Sequence, residues 1–190
     1  MQEILKGTGV FIYPLGLFSF LAVYVIIERL LALRPSRVLP KELSDAFISG
    51  EIVNTPGDLN STAGRIVYFY RKSNPDPESL KAFARLEVAR LERGLFILEI
   101  VVAGAPLLGL LGTITGLSEA FSSQILDKGG MPDKEHFIQG ISLALTTTMV
   151  GLCIAIPALV ANSWFNRRVE LLATKLEMGV ERLIDLSKRR

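Results

Sequence analysis

The side chains able to do chemistry inside the apolar stretches of this chain are hydroxyls. Thr113, Thr115 and Ser118 lie in one stretch, and Ser142, Thr146, Thr147 and Thr148 in another. A hydroxyl holds water and both donates and accepts hydrogen bonds, but it is not a group that titrates near neutral pH. A lone Ser or Thr commonly bonds to its own helix carbonyl one turn back. Three consecutive threonines turn through about 200° of a helix, so they cannot all face one way. At least one of Thr146, Thr147 and Thr148 is expected to face protein or water.

No Asp, Glu, Lys, Arg or His stands in the middle of these stretches. Proton-carrying membrane proteins ordinarily place an ionisable group there, at a cost of a few kcal/mol. The chain therefore brings no titrating relay of its own, and any proton conduction would need an acid from a partner. With one Cys (Cys153) and one His (His136), a disulfide framework and a Cys-based metal site are excluded. Cys153 reads as a small packing residue and His136 as a loop-edge residue. No nucleophile–base pair is present, so the expectation is no enzyme, no catalytic residue, no cofactor and no metal.

The elements that must position the hydroxyls follow from the distribution of charge. None of the 40 Lys, Arg, Asp and Glu residues falls in 7–27, 100–118 or 137–166, runs of 21, 19 and 30 residues. A helix needs about 20 apolar residues to cross a bilayer core. The fold class is thus an all-α membrane protein with three transmembrane helices. The first run exceeds the 7–15 apolar residues usual in a cleaved signal and has no small-x-small site before Glu28, so it reads as a retained span.

Basic residues set the orientation. Lys plus Arg number 11 in 28–99, 7 in 167–190 and 2 in 119–136. By the positive-inside rule the long loop and the tail face the cytoplasm, and three spans then place the amino terminus outside. The organisation is an external amino terminus and first span (1–27), a cytoplasmic loop with helices (28–99) and a second span (100–118). A short periplasmic loop (119–136), a third span (137–163) and a cytoplasmic helical tail (164–190) follow. A net charge of +2 with interleaved acids and bases argues against nucleic acid.

Inside the long loop, Pro40–Ser49 and Gly64–Arg71 read as helices and Asn54–Ser61 as a loop. Asp76-Pro77-Glu78 is a helix start, with Asp76 as cap and Pro77 at the first helical position. From there Leu80, Ala84, Val88, Leu91, Leu95 and Leu98 keep one helical stripe running into the second span. A single helix over 77–122 would be roughly 70 Å long, kinked at Pro106. Pro132 and Asp133 suit the first turn of the third helix. Beyond its span, Phe165, Val169, Leu172, Leu176, Gly179, Leu183 and Leu186 form a heptad seam with Gly179 as its weak point. That seam needs another helix against it: the 77–98 helix, a second copy of the chain, or both.

Small residues mark where the spans should touch. Ala105, Gly109, Gly112 and Gly116 form one bare stripe in the second span. In the third, Gly140, Ala144, Thr148, Gly151, Ala155, Ala158 and Asn162 keep the same rhythm. Lipid offers no hydrophobic force to join helices, so close backbone approach across small residues is what packs them.

Ala105-Pro106-Leu107-Leu108-Gly109-Leu110-Leu111-Gly112-Thr113-Ile114-Thr115-Gly116 resembles the second-span signature of the MotA/TolQ/ExbB family. The stretch from Gly140 to Leu152, with Thr146-Thr147-Thr148 at its centre and Ala155-Ile156-Pro157-Ala158 after it, is similar to the third-span signature. Glu28-Arg29 with Leu33-Arg34 is a weaker echo, and the Ala-Ile-Pro triplet points to the ExbB/TolQ branch. The resemblance implies a subunit of an ion-driven motor in the bacterial inner membrane. In that family five copies surround two single-span partners resembling ExbD or TolR, each bringing a membrane Asp. Proton flow then drives mechanical work or energised transport at the outer membrane. The family's pore-facing hydroxyls fall on Thr113 and Thr148. Leu143 stands where many ExbB and TolQ sequences carry Glu, so the resemblance supplies no carboxylate on this subunit. The alternative is a three-span membrane scaffold without ion conduction.

Overall fold

The computed structural model describes residues 9–49, 59–126 and 134–188. Among these residues the regular structure is all helix. A short 3-10 turn, Gly9–Phe11, leads into α1 (Ile12–Ala32). Four shorter helices follow: α2 (Pro35–Val38), α3 (Lys41–Ser49), α4 (Thr62–Ser73) and α5 (Pro77–Glu92). Then come two long ones, α6 (Leu95–Leu126) and α7 (Lys134–Lys188). Helices α1, α6 and α7 are long and apolar enough to cross a membrane, which makes this a three-span membrane protein. Most of the 54–61 loop and the Pro132-Asp133 start of the third helix lie outside the described residues.

The chain forms two compact units. The first comprises residues 1–26 and 96–162, which hold the spans. Its interior is narrow: Leu15, Ala22 and Val25 of α1, Leu98, Val101 and Ala105 of α6, and Ala144, Ala155 and Ala158 of α7 are buried. Large apolar side chains such as Phe20, Leu107, Leu145 and Val160 point outward, as a helix bundle solvated by lipid requires. Pro106 and Pro157 both lie within unbroken helices.

The second unit comprises residues 27–95 and 163–190. Ser61 caps α4 by accepting a 3.0 Å hydrogen bond from the Gly64 amide. Asn74 closes the same helix in the left-handed conformation, its amide donating to the Tyr70 carbonyl. Asp76 caps α5 as the sequence predicts, with Pro77 behind it. The Ser79 hydroxyl donates to its carboxylate at 2.6 Å and the Ser79 amide at 3.1 Å. These bonds favour the charged form and hold the Asp76 carboxyl below its usual value.

The one long helix expected over 77–122 is two. The break lies at Arg93 and Gly94, where Arg93 turns extended and Gly94 adopts φ +101°. A side chain on residue 94 would be strained by that angle and would also crowd the Arg29 guanidinium at 3.3 Å. Arg29 is buried there and its Nη1 donates to the Leu91 carbonyl at 3.0 Å, taking one of the acceptors that the end of α5 leaves open. Glu28 holds the same guanidinium through two contacts of 2.6 and 2.8 Å.

The predicted stripe on α5 is buried at Leu80, Ala84 and Leu91, but at its centre the fully buried residue is Glu87, with Val88 half-buried. A buried carboxylate requires partners. Glu87 Oε2 accepts from Arg65 Nη2 at 2.6 Å and Nε at 2.9 Å, and Oε1 accepts from Arg90 Nη1 at 2.6 Å. Phe69 stacks on Phe83 at 4.4 Å beside this triad and ties α4 to α5. The α7 seam is buried as predicted at Phe165, Val169, Leu172, Leu176 and Leu183. Gly179 is no weak point: a Cβ there would meet the Phe47 ring at 2.6 Å, so the bare position receives that ring.

Two outcomes follow for the second unit. Glu87→Ala is expected to cost about 2–3 kcal/mol of stability, and Arg90→Ala, whose side chain is 55% exposed, under about 1 kcal/mol. Thermal unfolding in detergent measures both. The Asp76 cap contributes stability above the ordinary carboxyl range and loses it as pH falls through its depressed folded value. Asp76→Ala should therefore lower the melting temperature at neutral pH, and the difference should vanish in strong acid.

Candidate functional site

The predicted small-residue stripes meet. Ala105, Gly109, Gly112, Gly116 and Ala120 form the buried edge of α6, and Gly140, Ala144, Thr147, Gly151, Ala155 and Ala158 that of α7. The approach is backbone to backbone. A Cβ on Gly116 would lie 2.6 Å from the Gly140 carbonyl oxygen, and one on Gly151 would lie 2.6 Å from that of Ala105. On Gly109 it would meet the Thr148 Cα at 3.0 Å. Phe18 of α1 fills the flank, its ring standing where a Cβ of Gly104 would need to be.

Each threonine can now be placed. Thr147 is the fully buried one, its methyl and hydroxyl filling the space left by Gly112, and its hydroxyl donates to the Leu143 carbonyl at 2.6 Å. The sequence places Thr148 in this stripe; Thr147 is its fully buried member, with Thr148 against Gly109 at the edge. Thr148 is half-buried one step round the helix, and its hydroxyl donates to the Gly109 carbonyl of α6 at 3.0 Å. Thr113, half-buried on α6, donates back to Leu110 at 2.6 Å, and Thr115 to Leu111 at 2.9 Å. Both candidate pathway residues thus have their hydroxyl proton committed to a backbone carbonyl. Each oxygen keeps lone pairs able to accept.

Two further groups lie on α7. Asn162 ends the α7 stripe, buried, and its Oδ1 has no hydrogen-bond partner among the described residues. Cys153 is exposed on α7. Among the described residues there is no group of three or more His, Cys, Asp or Glu able to hold a metal ion. Leu143 is half-buried on α7 and contributes its carbonyl to Thr147.

Sequence reasoning missed three features that shape these units. Arg29 reads from the sequence as a topology charge and as part of the weak Glu28-Arg29 family echo, not as a buried helix-end donor, although the glycine at 94 is a signal for a chain break beside it. Glu87 lay inside an apolar stripe, where a charge at a core position could have flagged a paired carboxylate. The distinction between Thr147 and Thr148 needs the rotation of α7 about its own axis, which a 100° step per residue leaves open.

The bond from Thr148 to Gly109 is a direct inter-helix contact. Thr148→Val is expected to lose about 0.6–1.7 kcal/mol of association between the two spans, and Thr148→Ser less. Gly116→Leu, which meets backbone on the facing helix, should abolish that packing altogether. Unfolding of the purified protein in mild detergent, monitored against increasing denaturing detergent, reads the order of the three variants.

Comparison with known proteins agrees with this architecture. Residues 60–178 match the model of the MotA/TolQ/ExbB proton channel family. A putative biopolymer transport protein ExbB-like 1 of Synechocystis sp. is 36% identical over 174 residues, which cover 84% of this chain and 67% of the relative. The biopolymer transport protein ExbB of Helicobacter pylori is 35% identical over 114 residues, 59% of this chain and 74% of the relative. A second Synechocystis relative, putative biopolymer transport protein ExbB-like 3, is 31% identical over 170 residues, 83% of this chain and 81% of that one. With the family model spanning both glycine stripes and the threonines between them, the chain belongs to the MotA/TolQ/ExbB proton channel family, on its ExbB-like side.

Proposed function

We propose that this chain is the multi-span subunit of a proton-driven motor in a bacterial inner membrane, with its amino terminus periplasmic and its carboxy terminus cytoplasmic. Copies of it, five by the family resemblance, surround an ExbD/TolR-like single-span partner whose membrane Asp carries the proton. The work is delivered to the outer membrane as energised transport or mechanical force. Each proton crossing 100 mV makes about 2.3 kcal/mol available.

The observation that carries this reading is a pair of hydroxyls, Thr113 and Thr148, in spans whose middles hold no Asp, Glu, Lys, Arg or His. Their donors are spent on Leu110 and Gly109, so what remains at each oxygen is acceptor capacity. A protonated carboxyl can donate to such an oxygen. An ionised carboxylate gains nothing from it, because the hydroxyl has no proton left to give. A wall of this kind stabilises the neutral, proton-loaded Asp against the charged one and raises its pKa. The partner would then cross the apolar interior loaded and discharge at either end.

The experiment is the Thr113→Val/Thr148→Val double variant, expressed with the partner. The complex is expected to assemble at normal mass while proton-dependent activity in cells falls to background. Unimpaired activity in the double variant would overturn the role of these residues. The scaffold alternative predicts no proton-dependent activity even with both threonines in place, so the parent complex separates the two.

A further inference from the structure

The seam between α6 and α7 ends on an amide. Gly140 meets Gly116 and Gly151 meets Ala105, so eleven residues along α7 correspond to eleven back along α6. Eleven residues are about three helical turns and return to the same face. Eleven more carry α7 from Gly151 to Asn162, and α6 from Ala105 back to its start beside Phe96 and Ile97. Asn162 is 9% exposed, and its Oδ1 has no hydrogen-bond partner among the described residues.

The first turn of α6 has the complementary need. The first amides of a helix find no acceptor within it. Ser61 and Asp76 supply one at α4 and α5, but Gly94 precedes α6 and has no side chain to offer. No side chain among the described residues bonds to the Phe96 or Ile97 amide. A buried acceptor thus stands level with unanswered donors, without a direct bond between them. Leaving such an acceptor unmade costs more than an ordinary hydrogen bond gains, so a group between the two helices is called for. Its chemistry is fixed from both sides: it must donate to Oδ1 and accept from N–H. A metal ion or an ammonium cannot accept, and an ionised carboxylate cannot donate. Water does both.

We propose that Asn162 and the first turn of α6 hold an ordered water, which donates to Asn162 Oδ1 and accepts from the Phe96 or Ile97 amide. Arg167 and Arg168 follow Asn162 by five and six residues, so the site lies at the edge of the apolar layer, where water is at hand. A bridging water of this kind is nearly as favourable in enthalpy as a direct hydrogen bond. It caps α6 where glycine leaves no side chain to do so. Asn162 is then a positioning residue, tying α6 to α7 beyond Ala158, where the small residues of the stripe end. The site stands whether or not the chain conducts protons.

The test is proton-detected solid-state NMR of the isotopically labelled full chain in lipid bilayers. Polarisation transfer from water to the Phe96 or Ile97 amide proton is expected in the parent protein. It should be lost in Asn162→Leu, which has a similar volume and no acceptor, whereas exchange with bulk water would persist in that variant. Asn162→Leu should also unfold at a lower concentration of denaturing detergent than the parent. Asn162→Asp, which keeps an acceptor oxygen, should unfold close to the parent. Absence of water transfer to both amides in the parent protein would overturn the site. So would an Asn162→Leu midpoint equal to or above the parent's, the result expected where an orphaned amide is merely replaced by apolar packing.

Discussion

The spans α6 and α7 are joined where Gly109 and Gly116 let α6 lie directly on the backbone of α7 and Gly112 receives the Thr147 side chain. In lipid little is gained by hiding one apolar surface against another, so the attraction comes mainly from close contact, with the Thr148–Gly109 hydrogen bond added to it. That single constraint explains why large side chains point outward and why the buried edge is alanine, glycine and one threonine. It also explains why a carboxylate has no place on this seam. The polar atoms it does tolerate are hydroxyls short enough to bond to carbonyls already at hand.

The two units handle polarity in opposite ways. In the span-bearing unit the threonine protons are absorbed by backbone oxygens, and no charge enters the middle of a helix. In the other unit a carboxylate is fully buried, and two guanidiniums answer it from α4 and α5. Arg29 is likewise buried to serve the end of α5, beside Gly94, whose positive φ favours glycine. Charge is used there to fix where helices stop and which faces meet. Such a division leaves the membrane segment rich in acceptors and poor in anything that binds a proton.

Much of this was readable from residue order. Forty charges avoiding three long runs leave little choice about the spans, and the Asp76-Pro77 start of α5 was visible because each residue has one physical role there. Both glycine stripes were legible, since their spacing admits only one helical face. What escaped depends on distances between separate segments. Gly179 looks like a defect in a heptad until Phe47, 132 residues earlier, is seen to need the space. The stripe through 80–98 conceals the break at Gly94, because hydrophobic periodicity carries across a single extended residue almost unchanged.

The proposed motor requires that no proton path be complete within this chain and that an acid from another polypeptide supply the missing step. Proton flux into vesicles under an imposed potential, with the purified chain alone and again with a single-span partner bearing a membrane Asp, tests that most directly. No specific flux is expected from the chain alone, with flux appearing only when the partner is present. Specific proton passage through the chain by itself would contradict the account.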